Sequence, residues 1–323
     1  MMFAMLRTPL FFLLPAALLL AQVKPRASDP TPEAEEARLR ATIAASPKLP
    51  LDPGELKLIP PRADWAVDMV SSTSSDGKGT IYLLQRGDKA DPVLAVNREG
   101  KLLRSWGKGM FKIPHSIRVD PQGNVWTVDA ASSMIYQFTP EGKKLLEISV
   151  GGQPEGRSEF RGTADLTFAP GGRIFVADGY GNARIIEYAR DGKRVREWGK
   201  HGTGPGEFVV PHGITAGSDG ILYVADRENG RIQRFDLDGH YKGEWTHLGK
   251  TFSITMTRQG ELYIGTQPRN KPNGSPGWLV KVDPKTGKAL GHVESNGHHS
   301  VEFASGDLFT GQRPDKVLWF RKR

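Results

Sequence analysis

Three histidines stand where they could share one cation. His115, His212 and His299 each open one copy of a repeated segment, and the intervening copies open near Ala66, Ala164 and Phe252. Neutral imidazole is a common metal ligand. Three imidazoles with one position left open are what a catalytic zinc site requires. Other divalent transition metals such as Fe, Mn or Co accept the same donors. One such histidine alone would read as a side chain bonded to water or backbone; three in register read as a site. Arg86, Tyr180 and Arg227 follow the second strands of their copies, and Gln267 and Arg313 hold the corresponding points of later copies. An arginine can grip a carboxylate with two parallel hydrogen bonds. A metal can polarise a hydroxyl or carbonyl, and Tyr180, beside cations, could act as a base. The plainer reading of Arg86 and Arg227 is a salt bridge to a loop carboxylate such as Asp88 or Glu228.

The third histidine has a neighbour, His298. Counting back from the turn glycine Gly306 selects His298. The apolar phase selects His299, because Val301 and Phe303 follow it at alternate positions, whereas His298 would bury Glu302. Phase is the firmer guide, since a hairpin loses one residue more easily than a strand turns inside out.

The elements that must position these groups are repeated. Residues 115–129, 164–178 and 212–226 share a pattern: an alternating apolar strand, a glycine turn, and a second strand closing on Asp129, Asp178 or Asp226. A third strand follows at residues 135–138, 185–188 and 232–235, and a fourth ends at Trp106, Trp198 or Trp245. Period-two alternation with glycine turns at fixed offsets marks hairpins. Four strands recurring every ~40–50 residues mark propeller blades. Weaker copies near Ala66, Phe252 and His299 bring the count to six. The last copy stops after three strands, and residues 56–59 are expected to supply the fourth and close the ring. In such a ring the histidine-bearing blades lie about 120° apart. The tryptophans read as blade-to-blade packing and the three aspartates as turn braces.

The expected fold class is therefore all-β: a six-bladed β-propeller over residues 55–323, preceded by a signal peptide (residues 1–21) and a linker (residues 22–54) rich in Pro, Ala and Glu. The leader is basic, then apolar over residues 9–20, and too short for a convincing span. Residues 31–45 could form one short helix capped by Thr31, and the whole segment reads as an arm outside the main fold. An exported protein, periplasmic or secreted, follows, with no stable membrane insertion after cleavage. The 323 residues contain no cysteine, which excludes disulfides and thiolate chemistry. The net charge of +8 is partly terminal and otherwise alternates with acids, and no nucleic-acid signature accompanies it.

At Pro114-His115 to Asp129, at Asp178-Gly179-Tyr180-Gly181-Asn182, and at Asp226-Arg227-Glu228-Asn229-Gly230-Arg231 the chain resembles the peptidyl-α-hydroxyglycine α-amidating lyases, themselves NHL-repeat propellers. The resemblance runs from about Ile81 to the end. It implies zinc on His115, His212 and His299, an essential Tyr180, and active-site arginines at Arg86 and Arg227. The implied reaction cleaves a C-terminal α-hydroxyglycine into a peptide amide and glyoxylate, a carbon–nitrogen lyase step on a small or peptidic substrate bearing a carboxylate. The family's calcium uses an Asp directly after the third histidine; Ser300 stands here, which puts calcium in doubt. The alternative reading is a non-catalytic NHL propeller that binds a protein or glycan through its loop face. A lactonase-type propeller is disfavoured, because those hold calcium with Glu, Asp and Asn where this chain has His.

Overall fold

The computed structural model describes residues 31–153, 159–295, 300–302, 307–312 and 316–323. The leader, His298, His299 and Arg313 lie outside the described residues.

Six four-stranded antiparallel sheets are arranged as blades. Blade 2 shows the plan, with strands Pro114–Val119, Val125–Asp129, Met134–Phe138 and Lys144–Ser149 from the channel outward. Blade 4 repeats it with Pro211–Ala216, Ile221–Asp226, Arg231–Asp236 and Tyr241–Trp245. Burial falls outward: the second strands of both blades are almost wholly buried, whereas Lys144–Ser149 is mostly exposed. The middle strands carry the apolar payload because both of their faces meet neighbouring blades.

The tryptophans fasten blade to blade. Trp106 meets Phe138 of the next blade at 5.9 Å between ring centroids, and Trp198 meets Phe235 at 6.0 Å. Each ring lies against the outer hairpin glycine of that next blade. A Cβ on Gly142 would fall 2.8 Å from Trp106, and one on Gly239 3.0 Å from Trp198.

The innermost strands would otherwise leave a row of unpaired N–H groups along the channel. Side chains of the preceding blade accept them instead. Ile117 N donates to Ser72 Oγ, Val119 N to Ser74 Oγ, Ala216 N to Thr167 Oγ1 and Met256 N to Thr215 Oγ1, at 3.0–3.2 Å. This explains why inner strands such as Val70–Ser75 are rich in hydroxyls yet fully buried.

Ring closure differs from the expectation. Blade 6 consists of Ser300–Glu302, Leu308–Gln312, Lys316–Lys322 and, as its outer strand, Leu51–Glu55. The closing strand therefore lies just upstream of residues 56–59. Leu56 adds one hydrogen bond to Val317 O, after which the chain turns to blade 1, where Ile59 bridges Lys101. The segment Leu-Asp-Pro-Gly-Glu has no apolar alternation and is held through backbone pairing with Lys316–Lys322.

Helix α1 (Pro32–Ala44) is capped by Thr31, as expected. It is not an arm held away from the fold. Leu39 and Ile43 are buried beside Trp245, Leu248 and Ile264, and Glu35 pairs with Arg269 at 2.6 Å. Among the described residues no helix is long and apolar enough to cross a membrane.

Candidate active site

The start of each inner strand and the end of its antiparallel neighbour share one face of the disc. Pro114 pairs with Asp129, and Pro211 with Asp226. Both inner strands carry a bulge at the next position: the register jumps from Pro114 to Ser116 and from Pro211 to Gly213, so His115 and His212 are the extra residues. A bulge frees a side chain from strand alternation and re-aims it. Both imidazoles are buried, with ring centroids 5.0 Å apart.

Each ring is held by the next blade. His115 Nδ1 donates to the Ala164 carbonyl at 2.6 Å, and His212 Nδ1 to the Phe252 carbonyl at 2.7 Å. A carbonyl oxygen only accepts, so both Nδ1 atoms carry a proton, and in the neutral imidazole, the form that binds a metal, both Nε2 atoms present lone pairs. Both Nε2 atoms lie 2.9 Å from the hydroxyl oxygen of Tyr180. Two imidazole nitrogens and a phenol oxygen converging on one point suit a shared cation. Oriented imidazoles with their second nitrogen fixed by a backbone carbonyl are the usual preparation for metal ligation. The donor set thus fits a divalent transition metal. Among the described residues no three His, Cys, Asp or Glu side chains cluster; the third expected ligand, His299, lies outside them.

Tyr180 reaches this point from the loop after Arg173–Asp178 of blade 3, between the two histidine blades. The loop passes so close to blade 4 that a Cβ on Gly179 would fall 2.0 Å from Pro211 O. Asp178 anchors its base by accepting from Arg184 Nε at 2.8 Å and Asn182 Nδ2 at 3.0 Å. Asp129 and Asp226 brace their own loops in the same way.

Arg227 is 2% exposed, with its guanidinium 5.5 Å from the Tyr180 ring and 5.4 Å from that of Phe252. Its Nε donates to Glu228 at 2.8 Å, the salt bridge foreseen as the plainer reading, and Glu228 also pairs with Lys250 at 2.8 Å. Burial pushes the Arg227 pKa down, but the Glu228 carboxylate and the Tyr180 oxygen beside it outweigh that and hold the group above its ordinary value. Burial likewise opposes charge on Glu228, and Arg227 with Lys250 overrides it, leaving that carboxyl below its usual range. Arg86 donates from Nε to Pro114 O at 2.9 Å and lies over Phe160, 5.3 Å from its centroid.

His115, His212, Tyr180 and Arg227 therefore meet at one end of the channel, with Arg86 joined to them through Phe160. Gln267 departs from its expectation. It is the last residue of its strand, and its side chain turns into its own loop, donating to Pro272 O and accepting from Gly274 N. It matches the bracing Asp226 and not Arg227. The sequence reading also passed over Phe160, which packs 5.1 Å from Tyr180, and Lys250.

Residues 162–311 match a family described as six-bladed beta-propeller. The human NHL repeat-containing protein 3 is 32% identical over 207 residues, covering 58% of this chain and 59% of that protein. The chain is a six-bladed β-propeller. This propeller is also 37% identical over 216 residues to peptidyl-alpha-hydroxyglycine alpha-amidating lyase 1 of Drosophila melanogaster, covering 61% of the chain and 40% of the relative. It is 32% identical over 295 residues to the peptidyl-glycine alpha-amidating monooxygenase of Mus musculus, covering 77% of the chain and 30% of the relative. It thus spans under a third of the mouse protein. Among solved structures, a virginiamycin B lyase from Staphylococcus aureus superposes with a TM-score of 0.57 at 20% identity, over 84% of this chain and 99% of that one; that likeness concerns the fold alone.

Proposed function

We propose that this propeller is a metal-dependent carbon–nitrogen lyase that cleaves a C-terminal α-hydroxyglycine into an amide and glyoxylate. The observation that carries the reading is the convergence of two carbonyl-anchored imidazoles and one phenol on a single point. Similarity to proteins named amidating lyases supports it.

His115 and His212 would hold the metal together with His299. A divalent cation bound there would polarise the substrate hydroxyl. The guanidinium of Arg227, or that of Arg86, grips the substrate carboxylate. Tyr180, reacting as the tyrosinate, takes the hydroxyl proton as the carbinol oxygen becomes the aldehyde of glyoxylate and the C–N bond breaks. The electron pair leaves on nitrogen, and the same proton returns there to complete the amide. No water is consumed. Phe252, buried, and Phe160, half-buried, shield the transferring proton from solvent.

The test pairs metal analysis of the purified protein with glyoxylate release from a peptidyl-α-hydroxyglycine. Stoichiometric zinc or another divalent transition metal with glyoxylate formation is expected. A protein without bound transition metal refutes the enzyme reading. Metal without glyoxylate removes the substrate and leaves the site.

A further inference from the structure

Lys250 belongs to no part of the reaction above, yet it is the one buried lysine among the described residues. It lies in the inner strand of blade 5, its side chain 8% exposed, with Nζ 2.8 Å from Glu228 and 5.9 Å from the Phe252 centroid. Glu228 is shared: one oxygen takes Arg227 Nε, the other takes Lys250. The arrangement is a buried chain of cation, anion and cation, and its members sum to one uncompensated positive charge. Helix α1 backs it from outside. Leu39 lies against Gly249, where a Cβ would fall 2.6 Å from Leu39 Cδ2.

An Arg–Glu pair by itself is neutral, and a neutral pair gives an incoming anion little field. Burying a net charge is costly unless a counter-charge arrives. We infer that Lys250 is a positioning residue for anion recognition: by claiming the second oxygen of Glu228 it leaves Arg227 electrically unspent toward the channel, ready for a carboxylate. This inference rests on the lyase reading for the identity of that carboxylate, but the charge argument holds for any small carboxylate that enters the channel.

The experiment measures binding of glyoxylate to the metal-loaded protein by titration calorimetry, alongside steady-state kinetics. Lys250→Met makes the buried group neutral, and glyoxylate affinity should fall about tenfold, the scale of losing one charge near a partly buried site. Metal content should be unchanged, and the loss should appear in KM more than in kcat. Lys250→Arg should restore affinity. The double variant Glu228→Gln with Lys250→Met returns the group to one net positive charge without an unpaired carboxylate. It should bind glyoxylate within about threefold of wild type, and it keeps the test open should Lys250→Met fail to fold. Wild-type affinity in Lys250→Met, or a double variant that folds yet binds as weakly as the neutral single variant, overturns the charge role. Because binding is read without turnover, a protein that releases no glyoxylate from the peptide refutes the lyase reading while the binding series still decides the role of Lys250.

Discussion

Gly179→Ala isolates the position of Tyr180 from its chemistry. Gly179 has no left-handed backbone requirement, so alanine suits its conformation, and the whole effect is steric. The new methyl would sit 2.0 Å from Pro211 O. Ordinary contact between a carbon and its neighbour needs about 3.5 Å, so loop and strand must separate by roughly 1–1.5 Å. Pro211 is paired in blade 4, and His212, the next residue, is pinned to the Phe252 carbonyl. The Tyr180 loop is the part that yields, and the hydroxyl leaves its place 2.9 Å from both Nε2 atoms. A misplacement of ~1 Å at a reacting group costs about a hundredfold in rate. Overpacking of this kind costs about 1–3 kcal/mol of stability, which leaves the propeller folded at assay temperature. The assay is glyoxylate release at saturating substrate, with metal content and thermal midpoint measured on the same preparation. A kcat near wild type in Gly179→Ala would refute the placement of Tyr180 as the proton acceptor.

Tyr180→Phe should retain metal and fold, and lose about 10²–10⁴ in kcat, measured by the same glyoxylate assay. Leu39→Ala, at a fully buried position under helix α1, should lower stability by about 2–5 kcal/mol in urea unfolding. His292 touches Ser46 just after α1 at 2.8 Å, and burial, then the charge of Lys48, hold its pKa below the ordinary value. As pH falls through the ordinary histidine range the unfolded chain takes the proton first, so the contribution of His292 to stability is present above that range and is lost in acid. His292→Gln should flatten the fall of the thermal midpoint between about pH 7 and 5. Chelation with 1,10-phenanthroline should abolish glyoxylate release, and added zinc should restore it.

The repeat was readable because each blade writes the same strand, turn and strand in apolar phase. The pairing of His115 with His212 followed from which copies begin with histidine. The bulge that aims them was not readable, since an unpaired residue leaves no mark in a pattern of alternation. Leu51–Glu55 escaped notice because its role is carried by backbone hydrogen bonds, which composition does not report. Gln267 was placed one step off because a glutamine that braces a loop and an arginine that faces a channel follow the same apolar strand. Phe160 lies in a connection between blades where no repeat position predicts it. The Arg227–Glu228 contact was legible from adjacency alone, whereas Lys250 meets Glu228 only through the packing of blade 4 on blade 5.

The strand that seals the ring has a consequence for how the molecule is made. Leu51–Glu55 is synthesised before the other described strands of the propeller, and its partner Lys316–Lys322 after them. A ribosome must deliver five blades and most of a sixth before the first strand has anything to zip onto. The seam is then locked, Arg323 N to Pro50 O at 3.0 Å and Arg323 to Asp52 at 2.7 Å. The ring thereby acts as its own length gauge. A chain that stops before Lys316 keeps an unclosed seam with exposed strand edges, which opens it to proteolysis and to edge pairing with other chains.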